Sequence, residues 1–192
     1  NMIRTKGLNF KYNDQASFSF PDINLGKDEN LLIIGSSGIG KTTLLHLLAG
    51  LLESNSGTIN LYGQDISKLT QHQIDKFRGQ NIGIVFQKPH FVNSLTVKEN
   101  LQLAQYLGNK KDQNRIIDIL SSLDILNKEN KRPKKLSQGE KQRASIAMAI
   151  VNSPKLILAD EPTSSLDDEN CDRVIKLLKK QASEFEAQLI VI

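Results

Sequence analysis

The chain has 192 residues, of which 39% are hydrophobic and 24% charged, the make-up of one soluble globular domain with a core of its own. No apolar run approaches the ~20 residues of a membrane-spanning helix. The opening Met2-Ile3-Arg4-Thr5-Lys6 lacks the apolar stretch of a signal peptide, and the single cysteine, Cys171, excludes a disulfide framework and fits a free thiol in a reducing cytosol.

The net charge of +4 is mild. The densest basic run, 128–135, holds Lys131, Arg132, Lys134 and Lys135 without interleaved aromatics. It reads as a solvated loop, and no nucleic-acid partner is expected.

In chain order, the stretch up to Leu25 sets Phe10, Phe18 and Phe20 among polar residues, the alternation of antiparallel strands. An apolar run at 31–34 leads into Gly35, and a helix is predicted over 41–52. A strand at 58–62 closes at the Gly63 turn. The run 82–86 leads into Gln87. A helix over 113–126 carries Ile116, Ile117, Leu120 and Leu123 at helical spacing, and another is predicted over 139–151. The run 156–159 leads into Asp160. A last helix, 169–185, has Val174, Leu177 and Leu178 on one face, and the chain closes on the apolar run 189–192. Near-continuous apolar strands alternating with helices suit a parallel sheet buried on both faces, so the class is α/β.

Gly35-Ser36-Ser37-Gly38-Ile39-Gly40-Lys41-Thr42 matches G-x-x-x-x-G-K-[ST] between a predicted strand and a predicted helix. Glycines let successive backbone N–H groups turn inward, and the helix start adds a field that favours phosphate. Lys41 offers a point charge to the β- and γ-phosphates, and Thr42 a hydroxyl to Mg²⁺. The set expected to hold nucleotide runs on to Thr43. A glycine-rich turn before a helix is the plain alternative, and the strand–turn–helix context argues against it.

Asp160 and Glu161 follow an apolar run, where a buried parallel strand delivers its carboxyl end to a ligand crevice. Asp160 suits the Mg²⁺ shell, and Glu161 suits a general base that takes a proton from water.

Leu136-Ser137-Gln138-Gly139-Glu140-Lys141-Gln142-Arg143 resembles the signature motif of ABC ATPases, and other motifs in the same order agree. Gln87 resembles the Q-loop glutamine. Ala159-Asp160-Glu161-Pro162-Thr163 and then Ser165-Leu166-Asp167 resemble the Walker B strand and D-loop. Tyr12 resembles the aromatic residue that stacks on adenine.

The resemblance covers essentially the whole chain. It implies a P-loop NTPase core with a mostly parallel sheet, an N-terminal antiparallel β-subdomain and an inserted helical subdomain. One domain is expected over 1–192, with core at 1–86 and 154–192 and helical part at 87–153. ATP and Mg²⁺ are the implied cofactors. Lys41, Gln87 and Glu161 take catalytic roles, Thr42, Gln87 and Asp160 the metal, and Tyr12, Ser137 and Gly139 contacts to nucleotide. Two copies are expected to close head to tail on two ATP molecules, the phosphate loop of one facing Ser137 and Gly139 of the other.

The resemblance further implies a membrane permease subunit as partner and a cytoplasmic place at the inner face of the membrane. Gly63-Gln64-Asp65-Ile66 and Arg78-Gly79 before 82–87 look like the lipoprotein-release and macrolide-export type. Phe91 and 96–100 fall where that family meets its permease; without the resemblance they read as a solvated helical linker.

Three features depart from the pattern. Gln138 stands for the first glycine of the signature pair and Glu140 for its usual glutamine. The family's switch histidine would follow the strand ending at Ile192, whereas His46, His72 and His90 lie elsewhere. The reading therefore expects a C-terminally incomplete cassette with weak hydrolysis. Its alternatives are a nucleotide-dependent clamp with little turnover and a non-transport ABC ATPase. A GTPase is disfavoured, because 127–130 lacks the closing Asp of the guanine-reading N-K-x-D.

Overall fold

The computed structural model describes residues 2–12, 16–162 and 168–192. The N-terminal strands β1 (Ile3–Tyr12), β2 (Ala16–Ser19) and β3 (Asn24–Leu25) form an antiparallel sheet with β5 (Ser56–Leu61) and β6 (Gln64–Asp65). Its order is β2-β1-β5-β6, with β3 also on β1. The second sheet is parallel throughout: β4 (Leu31–Leu32), β9 (Gln188–Val191), β8 (Leu156–Ala159) and β7 (Ile82–Val85), in that spatial order. This is the expected α/β division into an antiparallel N-terminal part and a parallel core.

The parallel sheet is buried on both faces where it is central. Every residue of β8 and β9 is buried, and alternate side chains serve two clusters. Leu156, Leu158 and Ile190 pack with helix α1 (Lys41–Leu48) and the N-terminal strands. Ile157, Ala159, Leu189 and Val191 pack with α4 (Gln113–Ser122), α5 (Gln138–Ile150) and Leu178 of α6 (Asp168–Glu184). The predicted strand at 31–34 departs from this pattern. Only Leu31–Leu32 pairs as strand, and Leu32 and Ile34 are 63% and 83% exposed, since among the described residues β4 is hydrogen-bonded to β9 on one side alone.

Helix ends fall short of the expected ones for a common reason. α1 stops at Leu48 instead of 52: Gly50 takes φ 63°, its N–H donates to Leu47 O, and Leu51 N–H donates to His46 O. That is a Schellman closure. α4 closes the same way with Asp124 at φ 55°, and α6 with Glu186 at φ 50°.

Two helices lie in stretches where the sequence reading placed none in full. α2 (Gln71–Asn81) buries none of its residues, so it has no apolar stripe to read. α3 (Val97–Leu107) buries Val97, Asn100, Leu101 and Gln105, more than a solvated linker would. Asn152 ties both to the end of α5, its amide donating to Gly79 O and Ala104 O at 3.1 and 2.8 Å. Among the described residues no helix is long and apolar enough to cross a membrane.

α5 begins with a capping box. Ser137 Oγ accepts from Glu140 N–H at 3.3 Å, and the Glu140 carboxylate accepts from Ser137 N–H at 2.8 Å. Lys128 Nζ lies 3.1 Å from the same carboxylate. The Ser137 backbone bond first, and then Lys128, hold the Glu140 carboxyl below the usual carboxylate range. Glutamate at this position therefore does the capping work of the glutamine it replaces and adds a charge.

The packing and the cap each lead to a measurable outcome. An added Cβ at Gly83 would lie 2.1 Å from the Ala149 carbonyl oxygen of α5 and 3.1 Å from Pro154. Gly83→Val is expected to cost about 1–3 kcal/mol through overpacking, read as a lower urea midpoint. Because Glu140's pKa is depressed on folding, its contribution is full above the unfolded value and disappears as pH falls through the folded one. Glu140→Gln should thus be less stable than the parent at pH 7 and indistinguishable from it in strong acid, by urea titration at both pH values.

Candidate functional site

All four parallel strands deliver their carboxyl ends to one edge. The register pairs Val85 with Ala159, Ala159 with Val191, and Val191 with Leu32. The segments leaving the strands therefore gather there: Gln87 after β7, Asp160 and Glu161 after β8, and the phosphate loop after β4. The main chain extends this alignment, with Asp160 N–H donating to Val85 O and Glu161 N–H to Ile192 O.

The phosphate loop turns through two left-handed glycines, Gly38 at φ 85° and Gly40 at φ 95°. Gly40 is the N-cap of α1 and offers no side chain to cap it. The orphan N–H groups of the first turn thus have no side-chain cap from Gly40, an arrangement that suits an anion. Lys41 folds back over the loop, its Nζ donating to Gly35 O at 2.8 Å and Ser36 O at 3.1 Å. Ser36, Ser37 and Ile39 are exposed along the loop. A Cβ at Gly40 would meet the Phe18 ring at 2.6 Å, so that ring backs the loop at the helix start.

Thr42 Oγ1 donates to Asp160 Oδ1 at 3.0 Å across 118 residues of sequence. Asp160 is 7% exposed and Thr42 is exposed, so the pair sits at the rim of the core. Two hard oxygen donors so close suit Mg²⁺, which takes few protein ligands and fills its octahedron with water and phosphate oxygens. Glu161 is half-buried with its backbone at φ 39°, and its carboxylate accepts from Gln87 Nε2 at 3.2 Å.

Tyr12 reaches the same helix from the antiparallel sheet. Its hydroxyl lies 3.4 Å from Thr43 Oγ1, and its ring meets Phe10 and Phe18 edge-on at 4.5 and 6.2 Å between centroids. The Thr43 side chain is buried against it, which leaves only the backbone of Thr43 for a phosphate. Ser137 and Gly139 are exposed at the start of α5. Thr163, Ser165, Leu166 and Asp167 lie outside the described residues.

The three histidines take no part in this cluster of contacts. His46 and His90 flank Phe86 at 6.5 and 4.7 Å, and His72 is exposed on α2. Two residues not assigned a role from sequence do approach the site: Phe18 behind Gly40, and Gln142, whose amide reaches Pro162 O at 3.2 Å. Gln142's place inside the signature stretch was the available signal; Phe18 had none beyond strand alternation.

A family profile described as ABC transporter matches residues 20–164. Among solved structures, the dimeric form of the bacterial ABC transporter cassette MJ0796 is 28% identical with a TM-score of 0.87, covering 99% of this chain and 87% of that one. A post-hydrolysis dimer of the same cassette, bound to ADP and Pi, is 27% identical with the same TM-score and coverage. CbiO1 from Clostridium perfringens, part of the ABC transporter complex CbiONQ, is 28% identical with a TM-score of 0.84, covering 99% of this chain and 77% of that one. With the profile matched over most of its length, the chain belongs to the ABC transporter family, as an ATP-binding cassette with the P-loop ATPase fold and activity.

Proposed function

We propose that this cassette powers a membrane transport complex by closing head to tail with a second copy around ATP and hydrolysing it there. The observation that carries the reading is the Thr42–Asp160 contact beside Glu161 at the mouth of the phosphate loop. It supports the reading by bringing the Gly35–Thr42 loop, a pair of oxygen donors and the Glu161 carboxylate to one sheet edge.

In this reading Gly35 to Thr43 hold the triphosphate through backbone N–H groups, and Lys41 leaves its loop carbonyls for the β- and γ-phosphates. Thr42 and Asp160, with Gln87 at the neighbouring Glu161, would hold Mg²⁺, which would supply positive charge to the phosphate oxygens. Glu161 accepts the proton of the attacking water. Tyr12 takes the adenine. The core at 1–86 and 154–192 and the helical part at 87–153 form the division of labour.

Ser137 and Gly139 are proposed to reach the γ-phosphate of the second copy's ATP. A Cβ at Gly139 would meet nothing within 4 Å, so packing within this chain does not call for glycine there. A close approach by another molecule's phosphate does. The relative MJ0796 is dimeric, which supports the pairing of two copies.

The permease is proposed to rest beside the Gln87 segment. Of 96–100, Val97 and Asn100 are buried, and Asn100 holds the Val92 backbone from inside. Val92 is exposed within the segment, and larger exposed apolar groups lie on Tyr106 and Leu107, along a groove of about 800 Å³ between α2, β7, α3 and α5. Its rim of His72, Lys76 and Arg78 suits an amphipathic segment. Gly63 to Ile66 and Arg78-Gly79 support the lipoprotein-release or macrolide-export type.

Two substitutions separate binding from chemistry. Lys41→Ala is expected to weaken ATP binding by about 10- to 100-fold, the loss of charge-assisted bonds, with an unchanged unfolding midpoint. Glu161→Gln should bind ATP like the parent and hydrolyse it about 10²- to 10⁴-fold more slowly. Titration and single-turnover rates read both. Equal ATP affinity in Lys41→Ala and parent would remove the phosphate-loop assignment.

A further inference from the structure

Glu161 occupies a backbone conformation that a side-chain-bearing residue rarely adopts, φ 39°. Such a conformation persists only when its surroundings hold it from several sides. Three holds are visible. Upstream, Glu161 N–H donates to Ile192 O at 3.0 Å. At the side chain, Gln87 Nε2 donates to its carboxylate. Downstream, the Pro162 carbonyl accepts from Gln142 Nε2 at 3.2 Å.

The third hold comes from a different part of the fold. Gln142 lies on α5, five residues past Ser137, and is 8% exposed; Pro162 is buried as well. A buried carbonyl stripped of its donor carries the full cost of desolvation, so the segment would shift to find another. Proline at 162 fixes its own φ, so the part of such a shift that the ψ of Pro162 does not absorb falls on the ψ of Glu161. The side chain of Gln142 touches neither phosphate loop nor acidic pair in the bonds described; its reach is to the backbone one residue beyond the carboxylate.

We propose that Gln142 is a positioning residue for hydrolysis: from the signature helix it fixes the Pro162 carbonyl, and through it the left-handed backbone that aims the Glu161 carboxylate. The inference deepens the reading of Glu161 as general base and rests on it. It also gives α5 a mechanical line to the base, so that a displacement of the helix bearing Ser137 is felt at the carboxylate within the same chain.

The test is a double-mutant cycle on the whole protein, read by ATP titration and single-turnover hydrolysis. Gln142→Met keeps an unbranched side chain of similar length and removes the donor. It is expected to bind ATP within about twofold of the parent and to hydrolyse it about 10- to 100-fold more slowly, the scale of a misaligned catalytic group. In the Glu161→Gln background, where no base remains to be aimed, the same change should alter the residual rate by less than about twofold. Gln142→Asn, which withdraws the amide by one methylene, should show the same pattern more weakly and serves if the Met variant does not fold.

An equal loss in both backgrounds, a loss of ATP binding in step with the rate, or a parental rate in Gln142→Met or Gln142→Asn overturns the proposal. Glu161→Gln alone hydrolysing as fast as the parent overturns the general-base reading itself, and is distinguishable because it needs no substitution at Gln142.

Discussion

The hydrogen bond from Thr42 to Asp160 joins the start of α1 to the end of β8, and the geometry of the site depends on that junction. α1 is held from below by Leu44, Leu45, Leu47 and Leu48 in the core shared with Leu156, Leu158 and Ile190. The distance between phosphate loop and acidic strand end is therefore set by packing beneath and by this one bond at the rim. Were the sheet antiparallel, its strand ends would alternate between two edges. Parallel order, with β9 between β4 and β8, brings loop, carboxylates and Gln87 to a single crevice.

The signature helix uses its N-terminus in two ways. Toward its own chain, Ser137 and Glu140 close a capping box and Gln142 reaches back to Pro162. Toward solvent, Ser137 and Gly139 stand exposed with open space over the glycine. A Ser137 hydroxyl that accepts from Glu140 N–H keeps its own proton free to donate, so capping and phosphate contact are compatible. The substitution of Glu140 for glutamine leaves that arrangement intact.

Much of this was legible in the sequence where local chemistry decides it. The phosphate loop reads from its glycines and Lys41, and β8 and β9 from unbroken apolar runs, because central parallel strands are buried on both faces. Three features resisted for physical reasons. α2 buries no side chain, so periodicity had nothing to report, although Thr70 and Gln73 form a readable capping box. α4 and α6 end at Asp124 and Glu186 in left-handed geometry, where no glycine marks the stop. The run at 31–34 reads as a buried strand because composition does not reveal that, among the described residues, β4 pairs on one side alone. At the site, the positions of Asp160 and Glu161 were legible, whereas the bonds of Glu161 to Ile192 and Gln87, and of Pro162 to Gln142, come from distant segments that only the folded chain assembles.

One claim stands above the others, that ATP is held between the phosphate loop of one copy and Ser137 and Gly139 of another. Light scattering on the Glu161→Gln protein tests it most directly, since with the base removed the closed form should persist. The expected result is a doubling of mass with ATP, less with ADP, which lacks the γ-phosphate those donors reach, and no doubling when Ser137→Arg fills the approach with a bulky side chain. A monomer under every condition, or a dimer indifferent to Ser137→Arg, would contradict it.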